Sequence, residues 1–142
     1  MDQEGLGSVE INDRRWPIVV LIFEGVPSEE AFDSYLRELD RIYARGQRHV
    51  TIVDARKGGL IPRSMRRRQG EWLKENREVI ERYSIGTVTV LGSPVLRFVL
   101  ATIYLIQPPV VPNVIVSTWE EGLSWALAQL QKEGLRPPVI DR

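Results

Sequence analysis

Apolar and polar positions along the chain fall into two periods, and the elements follow from where one gives way to the other. Val9 to Arg14 and Ile18 to Glu24 predict two short strands, the second a Val/Ile/Leu/Phe run of the kind buried in a sheet. A tight connection at Arg15-Trp16-Pro17 makes them a hairpin. Ser28 is then an N-cap with Glu29 and Glu30 in the first turn, where carboxylates meet the positive helix end. Phe32, Tyr35, Leu36, Leu39, Ile42 and Tyr43 recur at helical spacing until Gly46 closes the helix. His49 to Asp54 predicts a third strand, followed by the loop Arg56-Lys57-Gly58-Gly59.

From Pro62 to about Tyr83 the spacing predicts one long helix, with Met65, Trp72, Leu73, Asn76, Val79, Ile80 and Tyr83 inward. Arg67/Glu71, Lys74/Glu78 and Glu78/Arg82, four or so residues apart, mark its other side as solvated. Gly86 to Leu91 is a fourth strand, and Ser93-Pro94 opens the next helix. Val114 to Ser117 is a fifth strand. Thr118-Trp119-Glu120-Glu121 is a capping box for a last helix with Trp119, Leu123, Ala126, Leu127 and Leu130 inward. The order is ββαβαβαβα, an α/β class with mostly parallel strands and an antiparallel hairpin at the start. One domain spans 9–132, with flexible termini at 1–8 and 133–142.

The helix 94–106 breaks the pattern, because it is apolar on every side while the other helices are charged and two-faced. A helix of a small soluble domain shows the core a stripe and water the rest, so this one needs a second partner. The expected inner side is Val95, Val99, Thr102, Ile103 and Ile106, leaving Leu96, Leu100 and Tyr104 outward as the partner-binding residues. Burying an extra ~400 to 600 Å² of such surface per subunit gives a gross gain on the order of 10 to 15 kcal/mol, enough for a homodimer after association entropy. The alternative is a central helix covered on both sides by residues 119–130 and 65–83. With Arg97 inside it and Pro108-Pro109 after it, the segment falls short of the ~20 residues of a membrane span.

Composition narrows the chemistry. The 142 residues carry 19 basic and 19 acidic side chains, no cysteine and one histidine, His49. Zero net charge without a recognisable module argues against nucleic acid, and the absence of cysteine removes disulfides and thiolate chemistry. No nucleophile elbow, His-Glu-x-x-His or phosphate-binding glycine loop is present, so no enzyme activity, cofactor or metal is expected. The acidic start, Met1-Asp2-Gln3-Glu4-Gly5, lacks the basic and apolar regions of a secretion signal, which predicts a cytoplasmic protein. The one local charge imbalance runs from Ala55 to Gly70. Arg56, Lys57, Arg63, Arg66 and Arg67 are the candidate anion or partner docking residues there; the plainer account pairs several of these arginines with Glu71, Glu75 or another helix's acidic first turn.

The element order, with Glu24-Gly25 closing a hydrophobic strand, Thr51-Ile52-Val53-Asp54-Ala55-Arg56, and Glu121-Gly122-Leu123-Ser124-Trp125 in the closing helix, resembles the STAS domain. The likeness is to its SpoIIAA-like branch of small bacterial proteins and covers about residues 9 to 132. It implies a four- or five-stranded mixed sheet with the helices largely on one side. It also implies protein-protein regulation or, more loosely, the binding of small hydrophobic ligands. In anti-sigma-factor antagonists of this superfamily an Asp-Ser-Ser-Gly string before the second helix carries a phosphorylated serine. Here that place reads Pro62-Arg63-Ser64-Met65, which keeps Ser64 as a candidate phosphosite and lacks the aspartate and the glycine. The sequence thus points to a non-enzymatic regulatory or scaffold protein that binds a second copy or a regulatory partner through helix 94–106. The alternative is a carrier or sensor of a lipid or other hydrophobic ligand with an anionic headgroup.

Overall fold

A computed structural model describes residues 7–138. Its elements are β1 (Ser8–Arg15), β2 (Ile18–Gly25), α1 (Glu29–Ala44), β3 (His49–Gly58), α2 (Arg63–Glu75), α3 (Arg77–Tyr83), β4 (Ser84–Val90), α4 (Pro94–Ile106), β5 (Asn113–Val116) and α5 (Trp119–Lys132). The five strands form one sheet in the order β1-β2-β3-β4-β5, with β1 antiparallel to β2 and every other pair parallel.

The alternation of side chains along β2 divides the interior in two. Val19, Leu21 and Phe23 point to one face, where they meet Phe32, Tyr35, Leu39 and Ile42 of α1, Met65 and Trp72 of α2, and Ile80 of α3. Ile18 and Val20 point to the other, where Val50, Ile52, Val88 and Val90 meet Ala126 and Leu130 of α5. Thr89 alternates with Val88 and Val90 and lies beside the Tyr104 side chain, which puts α4 on the α1 face. The helices therefore lie largely on one side, with α5 alone on the other. Its close seat depends on Gly122, where a Cβ would come within 2.7 Å of Val90 Cγ2.

Local chemistry explains the element ends. Ser28 Oγ accepts from Ala31 N at 3.1 Å and Ser93 Oγ from Leu96 N at 3.3 Å. Thr118 Oγ1 accepts from Glu121 N at 3.2 Å and donates to Glu121 Oε1 at 3.0 Å. The hydroxyls of Ser117 and Thr118 hold the exposed Glu121 carboxyl below the usual carboxylate range.

The long helix expected over 62–83 is two helices. Asn76 sits at the junction, where its side-chain amide and its backbone N–H both donate to Trp72 O. The backbone bond is the last of the α2 ladder, the side-chain amide shares its acceptor, and Asn76 itself leaves helical geometry with φ −107° and ψ 16°. Trp72 faces inward and donates to Asp40 at 2.8 Å, but Leu73 is exposed rather than inward. At the chain ends, Ser8 already belongs to β1 and Leu135 packs on the α5 core, while residues 1–6 and 139–142 lie outside the described residues.

Candidate functional site

Three features carry chemistry or contact surface: the apolar α4, the cations after β3, and the histidine at the start of β3. None of the α4 residues is buried. Helix α4 is covered neither by α5, which is on the opposite face, nor by α2, so it is not the enclosed central helix of the alternative reading.

Its orientation is the reverse of the expected one. The half-buried positions are Leu96, Arg97, Leu100 and Tyr104, so these residues face the domain. The outward side is built from Val95, Phe98, Thr102, Leu105 and Ile106, with Phe98 73% and Leu105 83% exposed. Two polar contacts fix this rotation. The Arg97 guanidinium donates to Leu91 O at 3.0 Å and Gly92 O at 2.9 Å, satisfying carbonyls just past the end of β4. Tyr104 lies beside the Thr89 side chain, and burial raises its hydroxyl pKa although the neighbouring hydroxyl acts the other way. Side chains apolar all round give a helix no preferred inner side, so one arginine and one tyrosine decide it.

The outward side is dry as well as exposed. Its one polar side chain, Thr102, donates its hydroxyl to Phe98 O one turn back at 2.9 Å. No charged group lies on it, since Arg97 is turned inward. Covering this surface strands no hydrogen-bonding group, which is the condition under which apolar burial is not offset by desolvation.

The cations do not form one patch. Asp54 and Arg56 continue the β3 positions of Val50 and Ile52 on the α5 face, whereas α2 lies on the opposite face. Between Ile22 and Glu24 the pairing of β2 with β3 shifts from Asp54 to Lys57, a bulge that re-aims this end of β3. Arg56 donates to both Asp54 oxygens, at 2.9 and 2.8 Å, and lies 5.7 Å from the Trp119 ring centre. The Arg56 guanidinium holds the Asp54 carboxyl below its usual range. On α2, Arg68 binds Glu29 and Asp33 of α1, and Arg67 lies 3.9 Å from Glu71. Arg63, Arg66 and Lys57 make no ion pair among the described residues. Ser64 is exposed at the start of α2, its hydroxyl 3.4 Å from Glu29 Oε1.

Arg56 and Asp54 join Asn12, Arg15, Val20, Ile22, Trp119 and Glu120 around a groove of about 290 Å³ on the half of the α5 face that no helix covers. A smaller hollow of about 210 Å³ adjoins it, reaching Glu24 and Lys57. The sequence singles out Arg56 as a docking cation and Trp119 as an inward residue of the last helix, but gives no sign of Asn12 and Arg15, because β1 enters antiparallel. Helix α4 lines neither hollow. His49 is fully buried between Trp16, tilted to it by 39°, and Tyr43, which meets it edge-on. Its Nδ1 lies 3.1 Å from Gln47 O, and Nε2 has no partner. Among the described residues no three carboxylate or imidazole groups converge as a metal site, and no helix is long and apolar enough to cross a membrane.

No protein-family model matches this chain, and no curated protein matches it in sequence. Among solved structures, an uncharacterized protein from the DUF3478 family, from Shewanella loihica PV-4, described as having a SpoIIAA-like fold, superposes with a TM-score of 0.64. The match covers 89% of this chain and 97% of that one, at 11% identity. The chain has a SpoIIAA-like fold. At that identity the likeness extends to the architecture, a mixed five-stranded sheet with an antiparallel entry strand, and leaves the outer faces of the helices to be read from this chain alone. On the SpoIIAA-like frame, α4 is the element whose outward side chains the fold does not explain.

Proposed function

We infer that this is a non-enzymatic regulatory or scaffold protein of the bacterial cytoplasm, working through protein-protein contact at the outward side of α4. The observation that carries the reading is the dry surface of Val95, Phe98, Thr102, Leu105 and Ile106, apolar and with its single hydroxyl satisfied inside the helix. Contiguous apolar patches larger than a few hundred Å² mark interaction sites. The surface is convex and lines neither groove, which favours a protein face over the carrier reading, where the same helix would wall a lipid cavity.

A photo-crosslinking amino acid at Leu105, expressed in the native host, tests this directly. Irradiation is expected to give discrete protein adducts that vanish when Phe98→Asp is added, while the far-ultraviolet circular dichroism stays unchanged. Adducts with lipid only, or with nothing, overturn the reading.

A further inference from the structure

The groove on the α5 face has more hydrogen-bond donors than acceptors to meet them. Helix α5 packs chiefly on β3, β4 and β5, so over β1 and β2 that face is left to side chains. Val20 and Ile22 supply an apolar floor, and the Trp119 ring supplies a flat wall at the start of α5. At about 290 Å³ the recess stands at the small end of ligand sites, which run from ~300 to 1,000 Å³. The Asp54 carboxylate is already engaged, accepting from the Arg56 backbone N–H at 3.2 Å and from Arg56 Nε and Nη2 at 2.9 and 2.8 Å. The same bonds hold the Arg56 guanidinium 5.7 Å from the Trp119 ring centre and leave its Nη1 without a partner among the described residues. Arg15, at the opposite margin on β1, is exposed and makes no ion pair among the described residues. Asn12 Oδ1 accepts from Arg14 N at 3.0 Å, which leaves the Asn12 amide N–H groups to the groove. The one carboxylate left over is that of Glu120, exposed on the rim.

We propose that this groove binds a small organic carboxylate with a flat, apolar body, its oxygens between Arg15 and Arg56 and its body against Trp119, Val20 and Ile22. The proposal goes beyond the contact at α4, which lies on the other face of the sheet, and does not depend on it. Arg15 and Arg56 balance Asp54 and Glu120 in charge, so the selection comes from the unengaged donors rather than from net charge. A guanidinium offers five N–H donors and no acceptor, and its planar fork matches a carboxylate. Arg56 is already oriented by Asp54, so it loses little side-chain freedom when a ligand arrives. The Trp119 face takes a flat ring, as aromatic pairs do. Glu120 opposes an anion, and its exposure to water weakens that repulsion.

Benzoate, phenylacetate and indoleacetate are the probes, titrated into the isotope-labelled full chain while nuclear magnetic resonance follows the Trp119 indole N–H, assigned with Trp119→Phe. At least one of them is expected to move that resonance along a saturating curve. Phenylacetamide keeps the ring without the charge, and inorganic phosphate keeps the charge without the ring. Each should bind more weakly than the best probe by about tenfold or more, the worth of one charge-assisted hydrogen bond. Arg15→Gln should weaken the best probe by about the same factor, whereas Glu120→Gln should tighten it. Both positions are exposed, and unchanged amide dispersion will show that the fold is kept. Phe98→Asp, on the other face, should leave the titration as it is. No saturating shift with any of the three probes overturns the proposal, as does phenylacetamide or phosphate binding as well as the best of them, or binding indifferent to Arg15→Gln. None of these results touches the photo-adducts expected at Leu105, so the reading of α4 stands or falls separately.

Discussion

Burial holds His49 below its ordinary pKa of 6.5; the Gln47 carbonyl opposes that shift and nearby Arg45 adds to it. The unfolded chain therefore takes up the proton more readily than the folded one, and stability present above pH 6.5 is lost as the pH falls below it. Urea denaturation at pH 7.5, 6.0 and 5.0 should show this decline, and His49→Asn, which keeps a donor for Gln47 O, should flatten it. An equal slope in both proteins would assign the acid sensitivity elsewhere. The sequence puts His49 at the entry of a strand, and the structure buries it there between Trp16 and Tyr43. Those ring contacts were not legible, because Trp16 and Tyr43 come from a turn and a helix that no periodicity connects.

For α4 as an element, Arg97 is the anchor. Arg97→Ala frees the carbonyls of Leu91 and Gly92, and amide exchange across residues 94–106 should then quicken while β3 and β4 keep their protection. Unchanged exchange in α4 would mean that Tyr104 and Thr89 suffice to hold it. Apart from the division of α2 from α3, the elements were readable, down to the caps at Ser28, Ser93 and Thr118, because those helix starts carry their own hydrogen-bonding residue. What escaped the sequence depended on direction. Helix α4 has apolar residues on all sides, so its inner side is set by Arg97 rather than by hydrophobicity. Asn76 reads as an ordinary inward position of one helix, yet its backbone leaves helical geometry and divides the segment in two. The cations look like one run, yet the bulge in β3 and the turn into α2 send Arg56 and Arg63 to opposite faces of the sheet.

At the scale of the whole molecule, the sheet carries helices on both faces, α5 alone on one, and the antiparallel strand β1 closes one margin. The element order already carried this class, since strands alternating with helices leave few other arrangements. Among the described residues the outward side of α4 is a large apolar region that the helices leave uncovered, and the contact proposed for it would bury that surface. A further consequence comes from β2, whose successive residues Ile18, Val19, Val20 and Leu21 feed the two interiors in turn. Neither interior can melt while the other stays intact, because both are bolted through the same backbone. Leu130→Ala, expected to cost about 2–5 kcal/mol, should lower the exchange protection of α1 as much as that of α5, in one cooperative transition. Selective loss in α5 would show instead that the molecule unfolds by halves.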